Sequence, residues 1–500
     1  MSRLIILGID ALDKELVNKY LDKLTNIRKV INNGNNIKST STFPPDSDTA
    51  WATIYTGLNP ANHGVVDFVD PLERKKIKYK TSTYVDLNLI KNKTFWDILG
   101  KYGIKSSVVF PHLVTKVWPI NGSVVITDPN DDEIIFYPEQ LKSSIKKGKI
   151  IGQKRIPKSK LELKNYVINK KKVVSEEFKI AEEVFEKTEW DVFFFYSSTL
   201  DSIMHIFWNY CDPEDPTYPG KNPFETTILD FHLLYDKLIG NFLSLLKDDD
   251  RLIILSDHGH YRRPTKIFNI NEVLKKEGFL FEKGGSLKKV YSANEKFKRN
   301  LTNIAQKSGM RPLAQTLLRM FPFIKRFYTK PSNIDFEKTI AHCTDLSGLK
   351  AYTYGGIKVD RTKFDNDTQY YKTIDLIIEK LESYKIPNSN QNIFEWIKKR
   401  EELYQGKYIN KYPEIIFNLA EGYGAGWATG VPIFTESLAH KFYPGSHRAT
   451  TPVFFLMNCK KEVAKKEMKL MDVTPTVLEM FDIQTEKYNF DGESIFKREK

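Results

Sequence analysis

Cysteine is scarce in this 500-residue sequence: Cys211, Cys343 and Cys459 are the only three, far apart and without the spacing of metal ligands. A disulfide scaffold is therefore not expected. No apolar stretch approaches the roughly 20 residues that a helix needs to cross a bilayer. The first ten residues resemble a strand and lack the charged segment, apolar core and cleavage site of a signal peptide. These absences together predict a cytoplasmic protein.

Hydrophobic residues make up 41% of the chain and aromatic residues 13%, which fits a globular protein and excludes a largely disordered one. Apolar runs alternate with helical segments from Leu4 to His258, as in βαβ units. The alternation weakens after residue 258, and core-like runs return with Glu414 to Leu419 and Pro452 to Met457. We therefore predict an α/β protein divided into a core (1–258), an insertion or cap (259–412) and the end of the core (413–500).

The net charge of +13 is concentrated in two basic segments. Residues 142–172 contain twelve Lys or Arg against one acid, and residues 283–330 contain twelve against one as well. Such segments suggest a polyanionic partner, either nucleic acid or an anionic membrane surface. The alternative is that they are lysine-rich insertions that face solvent and bind nothing.

Three apolar runs end on an aspartate: Arg3 to Ile9 on Asp10, Asp191 to Leu200 on Asp201, and Arg251 to Ser256 on Asp257. Ligands of open parallel sheets bind outside the carboxyl ends of the strands, so these carboxylates are expected to converge on one crevice. His205 follows Asp201 by four residues, which places both side chains on one face of a helical turn, and His258 follows Asp257 directly. Aspartates and histidines together favour zinc or manganese over calcium. The pattern predicts a metal-dependent enzyme.

The segment from Thr42 to Gly57 is crowded with hydroxyl groups and leads into a predicted helix. A hydroxyl at a helix N-terminus lies where backbone N–H groups and the helix dipole favour negative charge, which suits a nucleophile that accepts a phosphoryl group. Ser, Thr and Asp are also ordinary N-cap residues, so the segment alone does not decide between these two roles.

Five motifs occur in order along the chain: Gly8-Ile9-Asp10, Tyr55-Thr56-Gly57, Asp201 with His205, Ser256-Asp257-His258-Gly259, and Gly445-Ser446-His447-Arg448. This order resembles the alkaline phosphatase superfamily and, within it, the type I phosphodiesterase and nucleotide pyrophosphatase family. The resemblance covers most of residues 1–258 and 398–492 and is thin from 260 to 395. It implies an alkaline-phosphatase-like three-layer α/β/α sandwich with a mostly parallel sheet and an inserted cap.

The resemblance further implies two divalent metal ions about 4 Å apart, with zinc as the first candidate and manganese as the second. By position, one metal would be held by Asp10, Asp257 and His258, together with the nucleophile. The other metal would be held by Asp201, His205 and His447. His440, seven residues before His447, is the alternative to it.

In family members the nucleophile lies ten residues before the glycine of the Thr-Gly pair, and in this chain that position is Ser47. The family usually has threonine there, so Thr42 and Thr49 stay open as alternatives through a local shift of register. His63 is expected to fix the turn after the nucleophile helix. His260 is expected to be structural, with orientation of a metal ligand as the alternative.

The implied activity is that of a phosphodiesterase or nucleotide pyrophosphatase with a seryl-phosphate or seryl-nucleotidyl intermediate. Phosphomonoesterase, phosphonate hydrolase and phosphomutase are alternatives within the superfamily. Sulfatase is disfavoured, because the formylglycine motif of that branch has proline and arginine after the modified residue and Ser47 is not followed by them. A rival of another class is a protein that keeps the fold and uses its basic segments to hold nucleic acid or an anionic membrane.

Overall fold

A computed structural model of the protein describes residues 2–66, 86–128, 132–145, 150, 157, 159–283, 334–343, 351–437 and 439–497. Its central sheet has eight strands, in the order Gly34–Asn36, Phe454–Met457, Arg251–Leu255, Leu4–Ile9, Val192–Ser197, Ser106–Val109, Gly122–Thr127 and Ile134–Tyr137. The five strands from Arg251–Leu255 to Gly122–Thr127 are parallel. The strands outside them pair antiparallel.

Helices cover both faces of the central sheet. Successive side chains of a strand point to opposite faces, so Ile5, Leu7 and Ile9 enter one core while Leu4 and Ile6 enter the other. The helices of the first core are Lys14–Tyr20, Thr25–Asn32, Lys160–Lys187, Thr199–Cys211 and Thr227–Leu245. The helices of the second core are Ser47–Thr56, Phe95–Gly100 and Val473–Glu479. The predicted three-layer α/β/α sandwich is confirmed.

A close contact between strand Leu4–Ile9 and helix Ser47–Thr56 sets the position of that helix. Trp51 is fully buried, and its ring lies over Gly8, where an added Cβ would come within 2.6 Å of the indole. Gly57 ends the helix in the left-handed region, with φ of 67°, a conformation that glycine adopts without steric cost. The sequence therefore places the start of this helix beside the end of the strand that carries Asp10.

The insertion has sheets and a core of its own. One sheet has the strands Ala341–Cys343, Tyr354–Val359, Ile415–Leu419 and Phe394–Lys399, all antiparallel. Another has the strands Tyr423–Gly426, Lys266–Asn269 and Phe434–Glu436. Helices Ile270–Lys276 and Asp367–Glu382 pack against these strands in a single apolar cluster.

The assignment of Glu414 to Leu419 to the central core is wrong, because Ile415–Leu419 pairs with two strands of the insertion. A short apolar run fits a buried strand of either sheet equally well, so its composition does not reveal its partners. We propose that the insertion extends past residue 412 to about residue 437, where its apolar cluster ends.

Two small sheets lie at the carboxyl ends of the central strands. Gly259–Arg262 pairs antiparallel with Gly445–Arg448, which places His260 opposite His447. Lys38–Thr40 pairs with Glu467–Lys469. The shorter helices are Pro60–His63, Leu141–Ser144 and Arg400–Leu403.

The two basic segments differ in how far the structure describes them. Within 142–172, the described part includes the first half of helix Lys160–Lys187, which starts with a capping box of Ser159 and Glu162. Nearly all of 283–330 lies outside the described residues. Binding of either segment to nucleic acid or an anionic membrane stays a prediction. Across the described ranges, none of the helices combines the length and apolarity that a membrane span requires.

A buried carboxyl group predicts that stability depends on pH. Glu177 accepts a hydrogen bond of 2.5 Å from Ser197 Oγ, and burial raises the pKa of Glu177 to about 7. A raised pKa means that the folded state prefers the protonated acid, so this contribution is complete below the unfolded pKa of 4.5 and is lost as pH rises through 7. We expect a loss of about 3 kcal/mol between pH 4.5 and 8.

Chemical unfolding of the wild type and of Glu177→Gln across this pH range measures the effect of Glu177. The difference between the two proteins isolates one group, since all other titrating residues are shared. The free-energy difference should change with pH in the expected direction, and a pH-independent difference would contradict the prediction.

Candidate functional site

Two aspartates converge where neighbouring parallel strands end. Asp10 directly follows strand Leu4–Ile9, and Asp257 lies two residues after Arg251–Leu255. His258 lies between them, with its Nε2 3.5 Å from Asp10 Oδ1 and 3.2 Å from Asp257 Oδ2. All three side chains are at most 3% exposed. The convergence predicted from the strand ends is confirmed for these residues.

Asp201 does not end a strand as the sequence suggested. The strand is Val192–Ser197, and Asp201 is the third residue of helix Thr199–Cys211. The apolar run was continued past the strand end by Thr199 and Leu200, which belong to the helix. The predicted helical face is confirmed, since His205 Nε2 lies 3.3 Å from Asp201 Oδ1 at the i,i+4 spacing.

A second group of side chains consists of Asp201 and three histidines around its Oδ1 atom. This atom lies 3.3 Å from His205 Nε2, 3.4 Å from His447 Nε2 and 3.5 Å from His260 Nδ1. The two groups are contiguous, because Asp201, His258 and His447 also have ligand atoms within 4.8 Å of one another. All six of the predicted aspartates and histidines therefore lie in one cluster, and His260 joins it.

Ser47 lies at the rim of this cluster as the first residue of helix Ser47–Thr56, after the N-cap Asp46. Its Oγ is 3.1 Å from His258 Nε2. The alternatives point elsewhere: Thr42 donates to the Pro44 carbonyl, and the side chain of Thr49 is fully buried in the helix. Of the three hydroxyls, Ser47 is the one with a hydrogen bond to a residue of the cluster.

Backbone carbonyls fix the orientation of three histidines. The Nδ1–H of His205 donates to Gly445 O (2.9 Å), that of His258 donates to Gly259 O (3.1 Å), and that of His447 donates to Pro45 O (2.9 Å). With the proton on Nδ1, each Nε2 presents a lone pair to the cluster. Binding the outer nitrogen in this way is how proteins hold histidine ligands of a metal.

In the part of the chain that the structure describes, the cluster contains more hydrogen-bond acceptors than donors, and its carboxylates have no cationic side chain beside them to balance their charge. Among the described residues, Asp10 Oδ1, Asp201 Oδ1 and Asp257 Oδ2 are buried without a hydrogen-bond donor. His205 Nε2 and His447 Nε2 face each other at 2.9 Å, although both protons lie on Nδ1. Buried acceptors without donors are costly unless a cation compensates them.

The pKa values of Asp10 and Asp257 agree with this lack of compensation, whereas that of Asp201 does not. Burial, reinforced by repulsion from Asp257 and Asp201, holds the pKa of Asp10 well above its usual range. Burial also raises the pKa of Asp257 to about 6 and lowers the pKa of His258 to about 3. Burial opposes charge on Asp201 too, but His205, His260 and His447 outweigh it and bring the pKa of Asp201 well below normal.

Five separations of the donor atoms fit divalent metal ions, whereas that between His205 Nε2 and His447 Nε2, at 2.9 Å, is shorter. Tetrahedral zinc, with bonds of about 2.0–2.1 Å, requires ligand atoms about 3.3–3.4 Å apart. The separations from Asp201 Oδ1 are 3.3, 3.4 and 3.5 Å, and those from His258 Nε2 to Asp10 and Asp257 are 3.5 and 3.2 Å. The carboxylate and imidazole donors are those that zinc and manganese accept.

His63 and His440, two histidines with roles predicted from the sequence, lie outside the cluster. His63 Nδ1 accepts from the Val65 N–H, and Nε2 lies 2.9 Å from Thr53 Oγ1, so His63 ties the turn to the Ser47 helix as predicted. His440 Nε2 binds Asp215 Oδ1 at 2.9 Å in a separate buried pair. The alternative of His440 in place of His447 therefore finds no support in the geometry.

Sequence reasoning missed three residues that hold the cluster from outside. Tyr196 OH lies 2.5 Å from Asp10 Oδ2, and His112 Nδ1 lies 3.1 Å from the same hydroxyl. The fully buried Arg263 donates a hydrogen bond to Gly445 O, the carbonyl oxygen that also accepts from His205 Nδ1–H. The one available signal was Tyr196 itself, because a tyrosine within a strand buried on both faces needs a partner for its hydroxyl.

The model of the family described as type I phosphodiesterase / nucleotide pyrophosphatase matches residues 4–336. The chain belongs to this family. The matched range contains every candidate metal ligand except His447. A search of curated proteins by sequence found no match.

Solved structures share the fold at low identity. Human ectonucleotide pyrophosphatase / phosphodiesterase 5 is 15% identical, with 98% of this chain and 97% of that chain covered and a TM-score of 0.51. Phosphonoacetate hydrolase from Sinorhizobium meliloti 1021, in complex with phosphonoformate, is 11% identical, with 95% and 94% covered and a TM-score of 0.53. Family membership supports a phosphoryl-transfer hydrolase, and the candidate clusters agree with dependence on a divalent metal.

Proposed function

We propose that the protein is a metal-dependent phosphodiesterase or nucleotide pyrophosphatase that forms a seryl-phosphate or seryl-nucleotidyl intermediate on Ser47. The observation that carries the proposal is the Ser47 hydroxyl at a helix N-terminus, 3.1 Å from His258 in a cluster of unsatisfied carboxylates and imidazoles. We also propose that the protein acts in the cytoplasm.

We assign Asp10, Asp257, His258 and Ser47 to one divalent metal and Asp201, His205 and His447 to the other, with zinc as the first candidate. Two such ions, when bound, would lower the pKa of the serine hydroxyl and would neutralise charge on the phosphoryl and leaving oxygens. His260, buried and 3.5 Å from Asp201 Oδ1, orients that carboxylate.

The chain's own groups position the reaction. The Ser47 hydroxyl gives up its proton to water, its Oγ attacks phosphorus in line, and the leaving oxygen departs on the opposite side and can take up a proton from water. Ser47 is the first residue of helix Ser47–Thr56, and the dipole of that helix favours the negative charge that gathers beside Ser47. Water then cleaves the serine ester by a second in-line attack and regenerates Ser47.

A cleft of about 490 Å³ next to the cluster supports a diester or nucleotide substrate. Its lining includes Pro45 and His447 from the core and Trp396 and Tyr354 from the insertion. The rings of Phe43 and Trp396 have centroids 4.6 Å apart. Aromatic side chains of this kind stack on nucleobases, which supports a substrate that carries a base.

Trp396→Ala tests the use of this cleft. For the p-nitrophenyl ester of thymidine 5′-monophosphate, we expect KM to rise about tenfold with kcat nearly unchanged, since stacking on one base is worth about 1–3 kcal/mol. For methyl p-nitrophenyl phosphate, which has no base, KM should not change. Equal effects on both substrates would show that Trp396 does not contact a base.

The proposed function itself is tested by the hydrolysis of bis-p-nitrophenyl phosphate and p-nitrophenyl phosphate, side by side, with zinc, with manganese and with chelator. We expect chelator-sensitive hydrolysis in which the diester is cleaved faster than the monoester. Faster cleavage of the monoester would favour a phosphomonoesterase. No hydrolysis of either compound with any metal would contradict the proposal.

A further inference from the structure

A chain of four side chains connects the metal-site candidate Asp10 with the residue that follows Ser47. Tyr196 OH lies 2.5 Å from Asp10 Oδ2, and His112 Nδ1 lies 3.1 Å from Tyr196 OH. On the other side of the imidazole, His112 Nε2 lies 2.8 Å from Asp48 Oδ1. The chain thus spans from the end of strand Leu4–Ile9 to the first turn of the Ser47 helix.

The number of available protons determines which group donates and which accepts in each of these hydrogen bonds. A carboxylate that binds a metal must be ionised, so Asp10 accepts and the Tyr196 hydroxyl donates to it. Tyr196 has a single proton, and its oxygen therefore accepts from His112 Nδ1–H. Asp48 accepts as well, so His112 Nε2 also carries a proton. His112 is consequently an imidazolium that donates to both neighbours, with Asp48 as its counter-ion.

The surroundings of His112 agree with that state. Burial acts to lower the pKa of His112, but the hydrogen bond and charge of Asp48 outweigh it, and the pKa is raised overall. The side chains of His112 and Asp48 are 23% and 31% exposed, so the pair lies at the edge of the site and not in the core. An ion pair with this exposure contributes little to folding stability.

The hydrogen bonds of these four side chains determine which oxygen of Asp10 faces the cluster. Tyr196 holds Oδ2, and Oδ1 is left without a donor, 3.5 Å from His258 Nε2. At its other end the chain anchors Asp48, whose backbone N–H is already bound by the side chain of Asp46. The orientation of a metal ligand and the start of the Ser47 helix are thus fixed by the same imidazole.

We propose that His112 is a positioning residue of the phosphoryl-transfer site, which holds Asp10 in its metal-binding orientation through Tyr196 and aligns it with Ser47 through Asp48. This inference rests on the proposed function. It makes a claim that a purely structural role does not: breaking the chain should weaken metal binding far more than it weakens folding.

The test compares Tyr196→Phe, His112→Gln and His112→Asn with the wild type. Zinc dissociation constants come from competition with a chromophoric chelator, and melting temperatures are measured in excess chelator. Loss of an outer hydrogen bond to a metal ligand typically weakens metal affinity 10–100-fold. We expect a weakening in this range for Tyr196→Phe and His112→Gln, with melting temperatures close to that of the wild type.

The two substitutions of His112 test its hydrogen bonds to Tyr196 and to Asp48 separately. The amide of asparagine reaches about as far as Nδ1 and can still donate to Tyr196, whereas the amide of glutamine reaches about as far as Nε2 and serves Asp48. His112→Asn should therefore keep more zinc affinity than His112→Gln. The double variant Tyr196→Phe, His112→Gln should be no worse than Tyr196→Phe alone, because both changes break one chain.

Tyr384→Phe is the matched control, since it also removes a tyrosine hydrogen bond to a carboxylate, that of Glu277, but within the insertion. It should leave zinc affinity unchanged. Wild-type zinc affinity in Tyr196→Phe and His112→Gln would overturn the proposal even if the enzyme is active. Absence of zinc binding and of diester hydrolysis in the wild type would instead overturn the proposed function on which it rests.

Discussion

Ser47→Ala should lower kcat/KM for bis-p-nitrophenyl phosphate by at least about a thousandfold, because the variant has no oxygen that can attack phosphorus. The substitution removes one hydroxyl from a half-buried helix start whose N-cap is Asp46, so the fold should persist. Stopped assays in saturating zinc, with circular dichroism as the check on folding, measure the effect. Ser47→Thr should retain much of the activity, since threonine offers the same attacking group.

Thr49→Val and Thr42→Val are the controls for the register of the nucleophile. Both remove a hydroxyl from the same segment, but Thr49 is buried in the helix and Thr42 donates to a local carbonyl. We expect activity within about tenfold of the wild type for both. An active Ser47→Ala together with an inactive Thr49→Val or Thr42→Val would move the nucleophile and contradict the assignment.

Asp257→Asn should remove most of the metal and with it the activity, while the metal-free protein becomes no less stable. In chelator, Asp257 is a fully buried carboxylate that adds to the repulsion on Asp10, so neutralising it relieves strain between charges. In zinc, the wild type gains stability by binding the ion and the variant does not. The difference in melting temperature between zinc and chelator should therefore collapse in the variant.

Asp215→Asn is the matched control for this prediction. Asp215 is a buried aspartate paired with a histidine, His440, at 2.9 Å, but it lies outside the cluster. Its substitution should lower stability in zinc and in chelator alike and leave metal content unchanged. Full metal content and activity in Asp257→Asn would show that the cluster is not the metal site.

The sequence predicted the central sheet and the cluster because both depend on local patterns. An apolar run that stops at Asp10 or Asp257 marks a strand end, and parallel strand ends share one edge of a sheet. The four-residue spacing of Asp201 and His205 marks a helical face. Asp201 was nevertheless placed at a strand end, because an apolar helix start continues an apolar strand without any change in composition.

The rest depended on pairing that no local pattern records. Ile415–Leu419 has the composition of a core strand, and only its hydrogen bonds to Tyr354–Val359 and Phe394–Lys399 place it in the insertion. His112 lies far from Asp48 and Tyr196 along the chain and showed no signal of its own. Its two hydrogen bonds exist because the central sheet and the Ser47 helix bring these three side chains together.

The stereochemistry of hydrolysis tests the role of Ser47 most directly. A chiral phosphorothioate diester, hydrolysed by the wild type in isotopically labelled water, reports how many in-line displacements occur at phosphorus. Attack by Ser47 followed by attack of water gives two inversions, so the account predicts net retention of configuration. Net inversion would show that water attacks the substrate directly, and it would contradict a covalent intermediate on Ser47.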